Sequence, residues 1–152
     1  MPPAFQHQAC YQNYVNGQYL SNQSGEKFDV TNPATGQVIY QVEVADEFIQ
    51  QSAIDTAQQG FAIWSNMSGI ERGRVLLKAV SLLREHNDEL AAIEVADTGK
   101  PWQEASAVDI VSGADAIEFF AGLAPTIEGN QQQVGEDFYY TRPEPLGVCA
   151  GI

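Results

Sequence analysis

Few residues in this chain have the type and spacing to do chemistry, and the most telling is a carboxylate in an unfavourable electrostatic position. Asp97 precedes Thr98-Gly99-Lys100-Pro101; a glycine and a proline at that spacing end a helix, so Asp97 falls in its last turn. The unpaired carbonyls and the helix dipole already make that end negative, and an added anion is unfavourable by about 0.3–1 kcal/mol. A positive group should answer it. Lys100 is near in sequence, and Asp97 is also placed to cap the helix that Pro101 begins. A third answer is a bound hard cation held by backbone carbonyls and one carboxylate. The sequence leaves these answers open.

Other reactive side chains are isolated. Cys10 and Cys149 lie at opposite ends of the chain, and His7 and His86 are far from both and from each other. Zinc ligands come in close pairs, so these four form no cluster, and the cysteines read as reduced thiols. Cys149 has no neighbouring cation or histidine in sequence to lower its thiol pKa and reads as a small core residue. Trp64 and Trp102 lie on or beside apolar helical stripes and read as packing residues. A phosphate loop, Gly-x-Gly-x-x-Gly, His-Glu-x-x-His and Gly-x-Ser-x-Gly are all missing, and no catalytic residue is assigned.

These groups must be positioned by a small folded unit. The chain has 152 residues, 44% of them apolar, and 7 basic against 20 acidic side chains for a net charge of −13. That much apolar content predicts a folded core rather than a disordered polymer. Seven scattered cations in an acidic field cannot displace the counterions of a nucleic acid or an anionic membrane, so neither partner is expected. There is no apolar run of membrane-spanning length and no basic, apolar leader at the N-terminus, which predicts a cytoplasmic location.

The elements alternate in kind along the chain. Residues 1–13 read as a mobile polar arm. Tyr14-Val15-Asn16-Gly17-Gln18-Tyr19-Leu20 reads as a hairpin, because Asn-Gly tolerates positive φ at both turn positions. Phe28 to Thr31 and Val38 to Val44, joined by Asn32-Pro33-Ala34-Thr35-Gly36, read as an antiparallel pair. Helices follow: one capped by Asp46, with Ala53, Ala57, Phe61 and Trp64 on one face; one opened by the capping box Ser68-Gly69-Ile70-Glu71, burying Val75, Leu76, Ala79, Val80 and Leu83; one capped at Asn87-Asp88; and one from Pro101, at its first position, to about Leu123. Phe138 to Arg142 alternates like a half-buried strand. Leu146 to Ile152 is apolar without alternation, as in a strand covered on both faces. A strand of that kind at the end of the sequence predicts that the chain stops inside a fold.

Four segments in this order carry a family resemblance. Tyr14-Val15-Asn16-Gly17, Asn32-Pro33-Ala34-Thr35-Gly36, Asp97-Thr98-Gly99-Lys100-Pro101 and Tyr140-Thr141-Arg142-Pro143-Glu144-Pro145-Leu146-Gly147-Val148 resemble the N-terminal part of the aldehyde dehydrogenase superfamily. Residues 84–91, 108–116 and 144–152 look most like the bacterial betaine aldehyde dehydrogenases. The resemblance implies an α/β fold: an N-terminal piece with small β-hairpins, about four helices, an assembly strand and the first strand of the cofactor-binding sheet. It divides the chain into residues 14–136, the hairpins and helical layer; 137–143, an oligomerisation strand; and 144–152, the start of a parallel sheet. It implies oxidation of betaine aldehyde to glycine betaine with NAD or NADP. The family's nucleophilic cysteine and general-base glutamate belong to a region past residue 152, so this chain by itself is expected to be inactive. The resemblance also implies a potassium ion held by the backbone oxygens of Val30 and Thr31 and the carboxylate of Asp97. It puts Ile152 at the rim of the cofactor pocket and makes the strand from Phe138 to Arg142 a homo-oligomer contact. A stand-alone module that binds full-length subunits is the alternative reading. Gly69, Gly73 and Gly113, in or near helical stretches, receive no account from sequence.

Overall fold

The computed structural model describes residues 8–151. It is a mixed α/β arrangement of small sheets and a helical layer. β1 (Cys10–Tyr11), β2 (Asn13–Val15), β3 (Gln18–Leu20), β4 (Lys27–Thr31) and β5 (Val38–Glu43) come first. β2 and β3 form the expected hairpin, and its turn takes the two positive φ angles that Asn-Gly permits, 51° at Asn16 and 78° at Gly17. Tyr14 and Tyr19 are cross-strand partners with their rings edge to face, 5.1 Å between centroids. β4 and β5 pair antiparallel across the Asn32–Gly36 turn. There the Asn32 side chain accepts from Ala34 N at 2.9 Å, and its carbonyl accepts from Gly36 N at 2.8 Å.

The arm reading fails for residues 10–13. Cys10 and Tyr11 pair in parallel with Gln41 and Val42 of β5, and Asn13 opens β2. Backbone pairing with an existing strand edge holds this segment, and no side-chain periodicity announces such pairing in a two-residue strand. Residues 1–7 of the expected arm lie outside the described residues.

The helices are α1 (Glu47–Trp64), α2 (Gly69–Glu85), α3 (Asn87–Thr98), the single turn α4 (Trp102–Glu104) and α5 (Ile110–Leu123). Asp46 caps α1 by accepting from Ile49 N at 3.1 Å. It also accepts from Gln23 N and Ser24 N, which fastens the β3–β4 loop to the helix start. These backbone donors, Ile49 N foremost, hold its carboxyl below the ordinary value. The capping box of α2 is complete: Ser68 Oγ accepts from Glu71 N, and the Glu71 carboxylate accepts from Ser68 N at 2.8 Å. Asn87 does not cap α3. His86 takes the cap position, and the Asn87 amide instead donates across to the Ser106 carbonyl at 3.2 Å. Pro101 flanks its helix rather than opening it, with φ −62° and ψ 140°. Between α4 and α5 the expected continuous helix widens into a π turn, Ala105–Asp109.

α2 and α5 run antiparallel at unusually close range. The last turn of α2 meets the first half of α5, where Arg84 pairs with Asp115 at 2.8 Å and Glu118 at 2.5 Å. The first turns of α2 meet the end of α5. A side-chain carbon built at Gly73 would stand 2.7 Å from the Ala121 carbonyl oxygen, and one at Gly69 would overlap that of Ala124. These glycines are therefore contact residues, which is the account the sequence lacked. Val80, Ala114 and Ala121 are buried between or beside these helices. The expected α1 stripe is not a core face: Ile49 is buried, whereas Ala53, Ala57 and Trp64 remain exposed, the β2–β3 hairpin lying beside Ala53 and Ala57 and residues 142–145 beside Trp64.

The chain continues through a short 3₁₀ turn, Ala124–Thr126, into a second hairpin, β6 (Gln131–Val134) with β7 (Asp137–Tyr140). The expected strand is present but ends at Tyr140, before Arg142. Its partner β6 was not read from the sequence, since Gln-Gln-Gln-Val has little strand propensity. Residues 144–151 form no strand, and Leu146 is 95% exposed. A parallel strand exists only through hydrogen bonds to its neighbours, and no described segment pairs with this one. No helix among the described residues is long and apolar enough to cross a membrane.

Gly73→Ala should lower the urea unfolding midpoint, destabilising by about 1–3 kcal/mol through forced separation of α2 and α5. Gly113→Ala, where an added carbon meets nothing within 4 Å, should instead stabilise by about 0.5–1 kcal/mol. Shifts of the same sign in both variants would count against the close helix contact.

Candidate cation site at the end of helix α3

α3 stops as its sequence requires. Gly99 adopts φ 73°, the left-handed conformation that favours glycine, and its N–H bonds the Val95 carbonyl at 3.0 Å. This turn seats on the Asn32–Gly36 loop. A side-chain carbon at Gly99 would stand 3.0 Å from the Pro33 ring and 3.1 Å from Ala34 N. Two of the sequence segments singled out for their chemistry therefore meet directly.

Asp97 is exposed two residues earlier, and neither Lys100 nor a capping role on the next helix engages it. Lys100 turns away, pairing with Asp109 at 2.6 Å and Glu94 at 3.0 Å. The bonds to Asp109 and then Glu94 push the lysine pKa up. The helix after Pro101 has no side-chain cap. Instead the Tyr40 hydroxyl donates to Asp97 Oδ1 at 2.9 Å. Partial burial of Tyr40, and then its bond to Asp97, push its pKa up to about 12, so the hydroxyl stays a neutral donor. The Tyr11 ring packs edge to face on Tyr40 at 4.9 Å.

Tyr40 also ties Asp97 to the strand that carries the other expected ligands. Tyr40 is the register partner of Val30, and the pairing shifts between Val30 and Thr31, leaving Ile39 as the extra residue of a bulge. Val30 is half-buried and Thr31 exposed. Asp97 is thus linked through Tyr40 to the strand pair that carries Val30 and Thr31. The oxygen donors of these three residues, two carbonyls and one carboxylate, have the hard chemistry of an alkali or alkaline-earth site. Among the described residues no three His, Cys, Asp or Glu come together in a set that could hold a metal ion, so a transition-metal centre is a poorer match.

Cys149 is exposed rather than a core residue, because residues 144–151 form no strand that a core could cover. Cys10 is half-buried in β1, and both thiols are free. Ile152 and His7 lie outside the described residues. Tyr40 was missed by sequence reasoning. The signal was present in the alternation of Val38-Ile39-Tyr40, but using it required the β4–β5 register.

Both the sequence and the fold have counterparts among known proteins. The aldehyde dehydrogenase family model matches residues 19–152. The chain belongs to the aldehyde dehydrogenase family. Betaine aldehyde dehydrogenase of Vibrio vulnificus is 55% identical over 141 residues, 92% of this chain and 29% of the relative. An aldehyde dehydrogenase from Bacillus cereus superposes with a TM-score of 0.81 at 34% identity, over 88% of this chain and 28% of that one. Betaine aldehyde dehydrogenase from Staphylococcus aureus, solved in complex with NAD+, gives 0.74 at 27% identity, over 82% and 25%. The chain spans less than a third of the length of the curated relatives it matches.

Lys100→Met should lower the melting temperature by releasing α3 from Asp109 at the end of the π turn. The gap to wild type should narrow in concentrated salt, which screens the pairs in the parent. A gap that does not change with salt would show that the lysine acts through its aliphatic stem instead.

Proposed function

We propose that this chain is the N-terminal portion of an NAD(P)-dependent betaine aldehyde dehydrogenase that oxidises betaine aldehyde to glycine betaine in the cytoplasm. The observation that carries the reading is the 55% identity, over nearly the whole chain, to betaine aldehyde dehydrogenase of Vibrio vulnificus. The structure of the Staphylococcus aureus relative in complex with NAD+ supports NAD as the cofactor, with NADP as the alternative. When bound, the nicotinamide accepts hydride from the aldehyde carbon. The described residues supply no nucleophile or general base to that step. Their contribution is architectural: a helical layer, a cation site and an assembly hairpin. In this reading the 152-residue chain alone does not turn over substrate.

The cation is potassium, held by the backbone oxygens of Val30 and Thr31 and the carboxylate of Asp97. It answers the negative end of α3, where Asp97 adds its own charge and Lys100 is engaged elsewhere. The β6–β7 hairpin is the homo-oligomer contact. Phe138 and Tyr140 are 72% and 75% exposed there, and apolar exposure of that extent in one short hairpin marks an interaction surface.

Full-length protein supplied with betaine aldehyde and NAD+ should generate NADH absorbance, and the 152-residue chain should generate none. Absence of turnover by the full-length protein with betaine aldehyde, alongside turnover of another aldehyde, would move the substrate assignment elsewhere in the family. The full-length protein should also melt higher in potassium chloride than in tetramethylammonium chloride at equal ionic strength. Asp97→Ala should erase that difference, and a difference that persists in the variant would remove Asp97 from the site.

A further inference from the structure

The geometry points to Tyr40 as the residue that positions the Asp97 carboxylate for the cation. This inference rests on the potassium reading above and adds to it a side chain that the reading does not include. An exposed carboxylate at a helix end has two free torsions, and in water it samples rotamers that aim its oxygens away from the sheet. The Tyr40 hydroxyl removes that freedom. It donates to Oδ1 at 2.9 Å, a bond that does not engage Oδ2.

The anchor is itself fixed from two sides. Tyr40 is paired through the backbone with Val30, on the strand whose carbonyls complete the proposed donor set, so the residue that holds the carboxylate is in register with that strand. Its ring is half-buried and braced edge to face by Tyr11 of β1 at 4.9 Å. The short parallel strand β1 thereby has a role beyond pairing: it supports the ring that supports the carboxylate. Preorganisation of this kind raises affinity by removing the entropic cost of ordering a ligand group when the ion arrives. Phenylalanine at position 40 would keep the ring packed on Tyr11 and remove the donor to Asp97.

The test uses the full-length protein and reads melting temperature against potassium chloride, with tetramethylammonium chloride holding ionic strength constant. Tyr40→Phe should melt close to wild type in tetramethylammonium but need about tenfold more potassium to reach half of its stabilisation, the loss expected for one hydrogen bond to a charged group. An unchanged potassium midpoint in Tyr40→Phe, with the response abolished in Asp97→Ala, would overturn the inference and leave the cation site standing. A wild-type protein with no potassium response would overturn the site and the positioning role together. A second readout does not depend on the melting behaviour of the variant. Crystals soaked in thallium(I), a scatterer of potassium-like radius, should show an anomalous peak beside Asp97 in wild type and a weaker one in Tyr40→Phe. Equal peaks would also refute the role.

Discussion

A helix that ends in a carboxylate places two negative features at one point, and the arrangement at the end of α3 follows from how that conflict is resolved. The left-handed Gly99 turns the chain onto the Asn32–Gly36 loop, which brings the helix end against the sheet. The lysine that follows is drawn off by Glu94 and Asp109, leaving Asp97 to the Tyr40 hydroxyl on β5. A neutral donor orients a carboxylate without neutralising it. The charge therefore persists where the end of α3 meets β5, and it is this charge that the proposed potassium ion answers.

The same helix is tied to the rest of the layer by polar links that each have a mechanical consequence. Asn87 at the start of α3 bonds the Ser106 carbonyl inside the π turn, and Lys100 past its end bonds Asp109, where that turn gives way to α5. A π turn carries one residue more than the α-helical path and leaves carbonyls poorly paired, so braces at both ends suit it. α5 then packs on α2 through Gly69, Gly73, Ala121 and Ala124, where missing side-chain volume lets two backbones approach. The opposite end of that pair is closed by Arg84 with Asp115 and Glu118.

Much apolar surface stays uncovered, including Phe119 and Phe120 on α5 and the aromatic face of the β6–β7 hairpin. The family relationship, and a span of less than a third of the relatives' length, give that exposure a simple meaning within the proposed function: these faces meet other parts of a larger enzyme and other subunits. The helical stripe of Ala53, Ala57, Phe61 and Trp64 belongs to the same class. It has the periodicity of a core face without a full partner among the described elements.

What the sequence determined alone is what depends on neighbours along the chain. The Asn16-Gly17 turn, the Ser68–Glu71 capping box, the Asp46 cap and the Gly99 stop were all legible, because each is set by the conformational limits or hydrogen-bonding reach of residues within four positions. The family, and through it Val30, Thr31 and Asp97 as candidates, came from segments read in order. The tertiary structure decided everything that needs two distant segments in one place: that β1 joins the sheet, that Asn87 reaches Ser106 instead of capping its own helix, that Gly69 and Gly73 are contacts, and that Tyr40 and not Lys100 answers Asp97. The physical reason is that a hydrogen bond across 57 residues of chain is chosen by register and packing, and neither quantity is written in any local window of the sequence.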